Sequence, residues 1–364
     1  MITTWLLTVR VWLMAALLMG GVLAPATVAA QATPEAVSAD TTILLGERVE
    51  VQGDGVEVSG SNVTITAGGT YALTGGVADS MVTVQAPGDD VTLVLNGVDI
   101  ANSSGPAVYI AEAGAATVTL AAGTENFLAD GGTSEQDAAL YSAAPLVING
   151  EGSLEVEGNN NEGVSSTTDI TIESGDIHVR AVEDGFNANY DGVSQINFYG
   201  GSVFVETEAG DAIDSNGTVT VTGGTVVALG ALVDMNGGID SDGAVTFDGG
   251  VVISTGSRES TPVSTSKQKS LLLSFRSTQA AGTLVVITDS QGTPVLTFEP
   301  AADFQQLLVS LPDLVADETY TVYVGGTATG AAENGVYVEA PTDLGTEVGT
   351  VTTDSVNQQR PGPP

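Results

Sequence analysis

The sequence predicts an all-β chain folded as a parallel β-helix, a solenoid in which each coil stacks on the one before it. A phrase of small and oxygen-bearing residues around one apolar residue returns about every two dozen positions. The apolar residues of these phrases are Leu140, Val164, Phe186, Ile213 and Ile239. A fixed repeat of this kind indicates one structural unit stacked on copies of itself.

A series of glycines runs in phase with these phrases. Steps of 23, 26, 23 and 26 residues separate Gly152, Gly175, Gly201, Gly224 and Gly250. This length suits a coil of about two or three short strands, with neighbouring coils about 4.8 Å apart. Glycine at each turn supplies backbone angles that other residues resist.

Short segments between the turns alternate Val or Ile with Thr, as in 63–65, 91–95 and 219–221. Such alternation indicates strands with one buried face. A β-propeller is the main alternative, but its blades need about 40–45 residues each. A β-sandwich would not produce so steady a repeat.

Composition along the chain predicts five regions. Residues 1–30 have the pattern of a secretory signal peptide, because Arg10 precedes an apolar run and small residues lead up to Ala30. After position 257 the phrases stop and several basic residues arrive together, which predicts a β-rich module that caps the open end of the solenoid. The expected regions are a leader at 31–39, the β-helix at 40–257, the module at 258–351 and a disordered tail at 352–364. We expect the mature chain to be secreted, extracellular or at the cell surface, not inserted in a membrane, and monomeric.

The chain is strongly acidic and has no cysteine, with a net charge of -37. Disulfides and thiolate metal sites are therefore excluded. Such a charge repels nucleic acid and anionic membranes, because it offers no counterion-releasing contacts to phosphate. Two interpretations of the acidity remain, solubility in a salty medium and cation binding. Ca²⁺ is the first candidate cation, since it takes about 6–8 oxygen ligands.

Several segments, read in order, carry a family resemblance. They are 91–100, 105–109, 124–126, 131–132, 183–186, 277–283 and 319–326. Together they resemble a family of secreted bacterial carbohydrate-binding β-helix proteins whose shape is similar to that of pectate lyases. The resemblance implies a right-handed parallel β-helix that binds Ca²⁺ and plant cell-wall polysaccharide, including pectin-type chains and cellulose. It does not imply catalysis. Gly237 and Ala138 depart from the family, which tends to carry an acid at both places.

Aligning the phrases on their apolar residue places acidic and amide side chains in columns. Stacked carboxylates repel one another, and a divalent cation between coils would remove that repulsion. The candidate metal ligands are Glu162, Asp184, Asn187, Asp211, Asp214 and Asp240, with Glu183 and Asp242 as helpers. The alternative is that these Asn and Asp side chains only cap turns by bonding to local backbone.

Four tyrosines could supply flat apolar faces to a sugar ring, namely Tyr109, Tyr141, Tyr190 and Tyr199. The alternative is that they pack against one another along the solenoid. Tyr109 and Tyr141 occupy the same place in their phrases.

Catalysis has weak support in the sequence. Arg180 is the sole basic residue between positions 49 and 257, and His178 is the sole histidine of the chain. Both are expected on the outer face, where a lone arginine among acids usually forms an ion pair worth about 0–1 kcal/mol. Three function classes remain open: a polysaccharide-binding protein, a lyase or hydrolase acting on the same substrates, and an envelope protein that uses metal for stability alone. The first class is favoured.

Overall fold

The computed structural model describes residues 38–353, and every regular element among them is a β-strand. The predicted all-β parallel β-helix is confirmed. The predicted signal peptide, most of the leader and most of the tail lie outside the described residues. Between residues 38 and 353 there is no helix with the length and apolar character needed to cross a membrane.

The solenoid has three faces, which we call A, B and C and which enclose its apolar interior. Each regular coil adds one strand to each face. Face A stacks β1 (Thr41–Leu45), β5 (Gly69–Ala78), β7 (Asp90–Ala101), β9 (Ala115–Leu120), β12 (Leu146–Gly150), β15 (Ile170–Ile172), β18 (Gln195–Phe198), β21 (Thr218–Val221) and β24 (Val245–Phe247), with β2 (Glu50–Gln52) antiparallel to β1. These parallel strands run through the whole length of the solenoid.

Face B begins with the second halves of the long strands β5 and β7, which pair in parallel. It continues with β10 (Glu125–Ala129), β13 (Ser153–Gly158), β16 (Asp176–Ala181), β19 (Ser202–Thr207), β22 (Thr225–Leu229) and β25 (Val251–Gly256), followed by antiparallel β29 (Phe304–Ser310) and β26 (Ser270–Gln279). The C-terminal part of the chain therefore extends one face of the solenoid directly.

Face C is a separate nine-stranded sheet. Its strands are β3 (Val56–Ser59), β4 (Asn62–Ile65), β6 (Val82–Gln85), β8 (Val108–Glu112), β11 (Ala138–Ser142), β14 (Glu162–Ser166), β17 (Phe186–Ala188), β20 (Ile213–Ser215) and β23 (Ile239–Ser241). All neighbours after β4 are parallel, and the first pair, β3 and β4, is antiparallel.

The interior of the solenoid consists of apolar rows. On face C, Val164, Phe186 and Ile213 lie in register and are fully buried. The Phe186 ring meets the Phe198 ring of face A edge-on, with centroids 5.9 Å apart. Full burial of such a side chain stabilises a fold by about 1.5–3 kcal/mol. These rows replace the disulfides that the chain lacks.

The glycines predicted at the turns lie where successive coils approach closely. Gly224 has a φ of +76°, and a Cβ there would lie 2.5 Å from the carbonyl oxygen of Gly201. Both the backbone angle and the available space therefore require glycine at this turn.

The C-terminal module packs on the outer side of face B. Its six-stranded sheet, in spatial order, contains β31 (Ala332–Glu333), β32 (Val336–Tyr337), β28 (Pro294–Phe298), β27 (Val285–Thr288), β30 (Thr319–Thr327) and β33 (Asp343–Thr352). A second apolar core joins Phe204, Val227 and Ile253 of face B to module residues such as Leu273 and Phe304. The module thus covers the last coils of face B.

A buried carboxylate closes face C at its last strand. In the coil before, the N–H groups of Ala212 and Ile213 donate to the carbonyl oxygens of Gly237 and Gly238. Among residues 38–353 no backbone carbonyl accepts from the equivalent N–H groups of Gly238 and Ile239, and the side chain of Glu259 accepts from both instead.

Candidate functional site

One outward-facing row of face C changes from aromatic to acidic side chains along the solenoid. After Thr64 and Thr83 on the first coils, its members in stacking order are Tyr109, Tyr141, Ser165, Asn187, Asp214 and Asp240. Each member pairs in parallel register with the next, so consecutive members lie about 4.8 Å apart along the solenoid. The register predicted from the repeated phrases is the one observed. The apolar residue before each member fills the core, and this turns the row outward.

Acidic residues at the turn into face C form a second row beside the first. Asp184 Oδ1 accepts a hydrogen bond from the Asp211 N–H at 2.8 Å, and Asp211 Oδ1 accepts one from the Gly237 N–H at 2.5 Å. The side chain of each of these aspartates therefore binds the backbone of the following coil. These bonds fix the carboxylates in place from coil to coil.

The two rows meet in a cluster of three carboxylates. One oxygen each of Asp211, Asp214 and Asp240 lies within 4.8 Å of the others. Asp211 and Asp214 are half-buried and Asp240 is exposed, so the cluster reaches the surface on one side. Ser260 donates to Asp240 Oδ1 at 2.7 Å, and no ion pair with a basic residue involves these three carboxylates in the described chain.

Burial and repulsion by neighbouring carboxylates disfavour the ionised forms of Asp211, Asp214 and Glu162. Burial, followed by repulsion from Asp184, Asp211 and Asp240, raises the pKa of Asp214 to about 7. Burial is also the main cause that raises the pKa of Asp211 to about 7 and that of Glu162 to about 8. A bound cation would reverse the effect, since an opposite charge nearby favours the ionised form.

Several buried oxygens in the same region have no hydrogen-bond partner. They are Glu162 Oε2, Asn187 Oδ1 and Ser165 Oγ. Asn187 donates through its Nδ2 to Asp184 Oδ2 at 2.9 Å, which leaves its carbonyl oxygen unused. An unpaired buried oxygen is unfavourable, whereas coordination to a metal ion would satisfy it. The donor set consists of carboxylate, amide and hydroxyl oxygens, which is the set that suits Ca²⁺.

The suggested helper residues, Glu183 and Asp242, lie near the acidic row, and the two departures from the family, Gly237 and Ala138, lie at its two ends. Glu183 and Asp242 lie close enough to raise the pKa of Asp184 and Asp214, respectively. A Cβ at Gly237 would lie 1.7 Å from the carbonyl oxygen of Arg258, so no acidic side chain fits there. Ala138 is fully buried, in register with Glu162. At these two coils the acidic row ends.

The structure brings together two of the four candidate tyrosines. The rings of Tyr109 and Tyr141 lie edge to face with centroids 5.8 Å apart. Tyr190 follows β17 in a loop, and Tyr199 follows β18 at the turn toward face B. Both are exposed, and neither belongs to the row on face C.

Arg180 and His178 lie on face B, in a different sheet from the acidic cluster. As predicted, Ile177 and Val179 of the same strand point inward, and His178 and Arg180 point outward. Arg180 pairs with Glu155 at 3.1 Å and with Glu206 at 3.7 Å. Its guanidinium is therefore held in surface ion pairs.

Sequence reasoning did not find Glu259. This side chain is 5% exposed, and burial raises its pKa to about 8, with Asp211 adding repulsion. It lies after the last repeated phrase, where no periodicity marks it. The one available signal is an isolated acid shortly after the repeat ends.

Comparisons with known proteins identify the family of this chain. A family model described as "Carbohydrate-binding domain-containing protein" matches residues 59–297, more than half of the chain. A carbohydrate-binding domain-containing protein of Acetivibrio thermocellus is 34% identical over 122 residues, which are 31% of this chain and 43% of that relative. The chain thus spans less than half the length of this relative.

A solved structure is also similar. The polysaccharide lyase-like protein from C. thermocellum, solved as a gadolinium derivative, has a TM-score of 0.49 and 28% sequence identity. The similarity covers 58% of this chain and 93% of that one. The residues matched by the family model include the rows of face C and most of the solenoid. This chain belongs to the family of carbohydrate-binding domain-containing proteins.

Proposed function

We propose that the protein binds acidic polysaccharide, polygalacturonate in particular, through Ca²⁺ held on face C. The observation that carries the proposal is the cluster of Asp211, Asp214 and Asp240, which contains no basic residue and lies beside buried oxygens without partners. Membership of a carbohydrate-binding family indicates that the ligand is a saccharide. The cluster would attract an acidic saccharide through a bound cation.

A polyanion needs a cation to bind another polyanion. Bound Ca²⁺ would neutralise the protein carboxylates and accept sugar carboxylates at its remaining coordination positions. Asp240 is exposed, so the cluster can be reached from solvent. Tyr109 and Tyr141 belong to the same row. Their rings offer faces and edges to sugar units of the polysaccharide that lie beyond the cluster.

Calorimetric titration of the full chain with oligogalacturonide, with and without Ca²⁺, tests the proposal. We expect binding in Ca²⁺, its loss in EDTA, and a loss of at least about tenfold in affinity for the Asp214→Asn variant. Asp313→Asn is the matched control, because Asp313 is exposed in the C-terminal module and lies outside the rows. Unchanged affinity after chelation, in a chain that stays folded, would contradict the proposal.

The same samples separate the remaining alternatives. New ultraviolet absorbance from an unsaturated product would identify a lyase, and new reducing ends alone would identify a hydrolase. Ca²⁺-dependent stability without retention of any saccharide would identify a structural protein. We also propose that the chain is secreted after removal of residues 1–30, which N-terminal sequencing of the exported protein would test by finding Gln31 first.

A further inference from the structure

The segment that leaves the solenoid for the C-terminal module passes directly over the carboxylate cluster of face C. We call this segment, residues 257–260, the linker; it follows β25 immediately. Its backbone is bound to the last coil. The Ser257 N–H donates to the carbonyl oxygen of Asn236 at 2.9 Å, and the Ser260 N–H donates to that of Ile239, also at 2.9 Å. The linker therefore lies against the residues on both sides of the turn into β23.

The linker fixes one carboxylate of the cluster directly. Ser260 Oγ donates to Asp240 Oδ1 at 2.7 Å, and this is the one hydrogen bond that the Asp240 carboxylate accepts within residues 38–353. The backbone of Ser260 is bound to Ile239, which immediately precedes Asp240. The hydroxyl is thus held in place by the same strand whose carboxylate it orients.

A second carboxylate of the cluster is fixed through the neighbouring loop. Asp211 Oδ1 accepts a hydrogen bond from the Gly237 N–H. Gly237 lies directly beneath the linker, since a Cβ at this position would be 1.7 Å from the carbonyl oxygen of Arg258. The preceding carbonyl, that of Asn236, also accepts from Ser257 Oγ at 2.7 Å. Two of the three cluster carboxylates therefore depend on the linker for their positions.

The linker is also tied to the C-terminal module. The Glu259 N–H donates to Gln306 Oε1 of β29 at 3.0 Å, and Gln306 Nε2 donates to Ser274 Oγ of β26 at 3.2 Å. The Glu259 carboxylate accepts from Gly238 and Ile239 of the last coil. Glu259 thus joins face C to the strands that continue face B, and the linker keeps its position only while both contacts hold.

A buried oxygen beside the cluster has no partner within the protein. Asn187, next to Asp214 in the row, is 9% exposed, and its Oδ1 accepts no hydrogen bond. A cation at the cluster would satisfy such an oxygen. Ligands that are already held in position lose less freedom when an ion binds, so a cation binds more tightly when the linker is docked. Coupling of this kind is reciprocal, and the cation must stabilise the docked linker by the same factor.

We propose that the linker is part of the cation site of face C, so that Ca²⁺ binding and docking of the linker stabilise each other. Ser260 is a positioning residue in this arrangement, because it orients Asp240. The inference rests on the Ca²⁺ site of the proposed function and adds that this site is incomplete when the linker leaves the last coil. Occupancy of the site then controls how firmly the module is joined to the solenoid.

Calorimetric titration of the full chain with Ca²⁺ alone, without saccharide, tests the role of Ser260. We expect Ser260→Ala to lose about three- to tenfold in Ca²⁺ affinity and Ser260→Thr, which keeps the hydroxyl, to retain it. Ser264→Ala is the matched control, because Ser264 is exposed and follows the linker. Gln306→Leu removes the acceptor of the Glu259 N–H and touches no cluster carboxylate, so a loss of about threefold there would report the position of the linker alone.

Hydrogen exchange gives a second readout that does not depend on a change of ligand. In wild type, saturation with Ca²⁺ should slow exchange of the Ser257 and Ser260 amides by at least about threefold. The slowing should be smaller in Ser260→Ala. The Thr66 amide, bound to the Gly55 carbonyl at the other end of the solenoid, is the reference and should not respond.

The outcomes separate this inference from the proposed function. Equal Ca²⁺ affinity of wild type and Ser260→Ala, or linker amides that exchange at the same rate with and without Ca²⁺, would each overturn the inference and leave the face C proposal standing. A chain that binds Ca²⁺ but not oligogalacturonide would overturn the polysaccharide proposal and leave the coupling intact. Absence of Ca²⁺ binding to wild type would overturn both.

Discussion

Glu259 accepts a hydrogen bond from the backbone N–H of Gly238 at 3.0 Å, and this contact ends the nine-stranded sheet. Its second oxygen accepts from Ile239 at 3.2 Å, and Ser254 donates to the same carboxylate. One side chain thus supplies the acceptors that two carbonyls of a further coil would provide. Unpaired N–H groups at a sheet edge invite pairing with other chains, so this contact also protects the edge.

Glu259→Ala should destabilise the fold strongly. It leaves two buried N–H donors without acceptors, at a cost of about 2–5 kcal/mol in the free energy of unfolding. Chemical denaturation monitored by circular dichroism measures the change. Glu57→Ala on the exposed side of β3 is the control and should change stability by less than about 0.5 kcal/mol. Equal effects of the two substitutions would show that the contact does not stabilise the sheet edge.

Stability without metal should fall as pH rises. The pKa values of Glu162, Asp211 and Asp214 are raised in the folded chain to about 8, 7 and 7. In the unfolded chain such groups titrate near pH 4 (about 3.9–4.3). Between these values the folded state holds protons that the unfolded state has released, so the free energy of unfolding decreases with pH across this window.

If Ca²⁺ binds these carboxylates as proposed, it should reverse that trend, because it would bind their deprotonated form. We expect the melting temperature in EDTA to be higher at pH 5 than at pH 8, and the increase caused by Ca²⁺ to be larger at pH 8. Thermal scans at both pH values, with and without Ca²⁺, measure this. A melting temperature in EDTA that rises from pH 5 to pH 8 would contradict the raised pKa values.

Gly224→Ala should lower the free energy of unfolding more than Gly282→Ala does. Both glycines have a φ of +76°, but a Cβ at Gly224 would lie 2.5 Å from the Gly201 carbonyl oxygen, and at Gly282 nothing lies within 4 Å. The left-handed angle alone costs about 1–2 kcal/mol. Overlap with the neighbouring coil adds to that cost at Gly224 only. A chemical denaturation curve for each variant gives the difference, and equal losses would show that coil contact does not select glycine.

Tyr141→Ala should weaken saccharide binding on face C about three- to tenfold, because it removes one ring of the edge-to-face pair with Tyr109. Tyr323→Ala is the matched control, since Tyr323 is a partly exposed aromatic residue in the C-terminal module. Titration with oligogalacturonide in Ca²⁺ compares the two. Similar affinities for both variants would place the sugar away from this row.

The repeated phrases were enough to predict which acids become neighbours. An apolar residue must face the core once per coil, so Phe186, Ile213 and Ile239 stack, and Asn187, Asp214 and Asp240 stack beside them. Val108, the apolar residue before Tyr109, follows the same rule and pairs with Leu140.

Other features depend on parts of the chain that do not repeat. Phe204, Val227 and Ile253 occupy outward positions on face B, and they are buried because the C-terminal module returns over them. Glu259 closes face C from a segment without periodicity. Contacts made by a returning segment leave no spacing pattern, so sequence periodicity could not predict them.

The row on face C changes its chemistry along the solenoid, from Tyr109 and Tyr141 to Asp214 and Asp240. A polysaccharide also has two chemically distinct ends. If one glycan lies along the row, the two orientations are not equivalent, and one should be preferred. Every bound molecule would then point its C-terminal module the same way along a fibre, so that a coated strand would carry a polarity visible by electron microscopy.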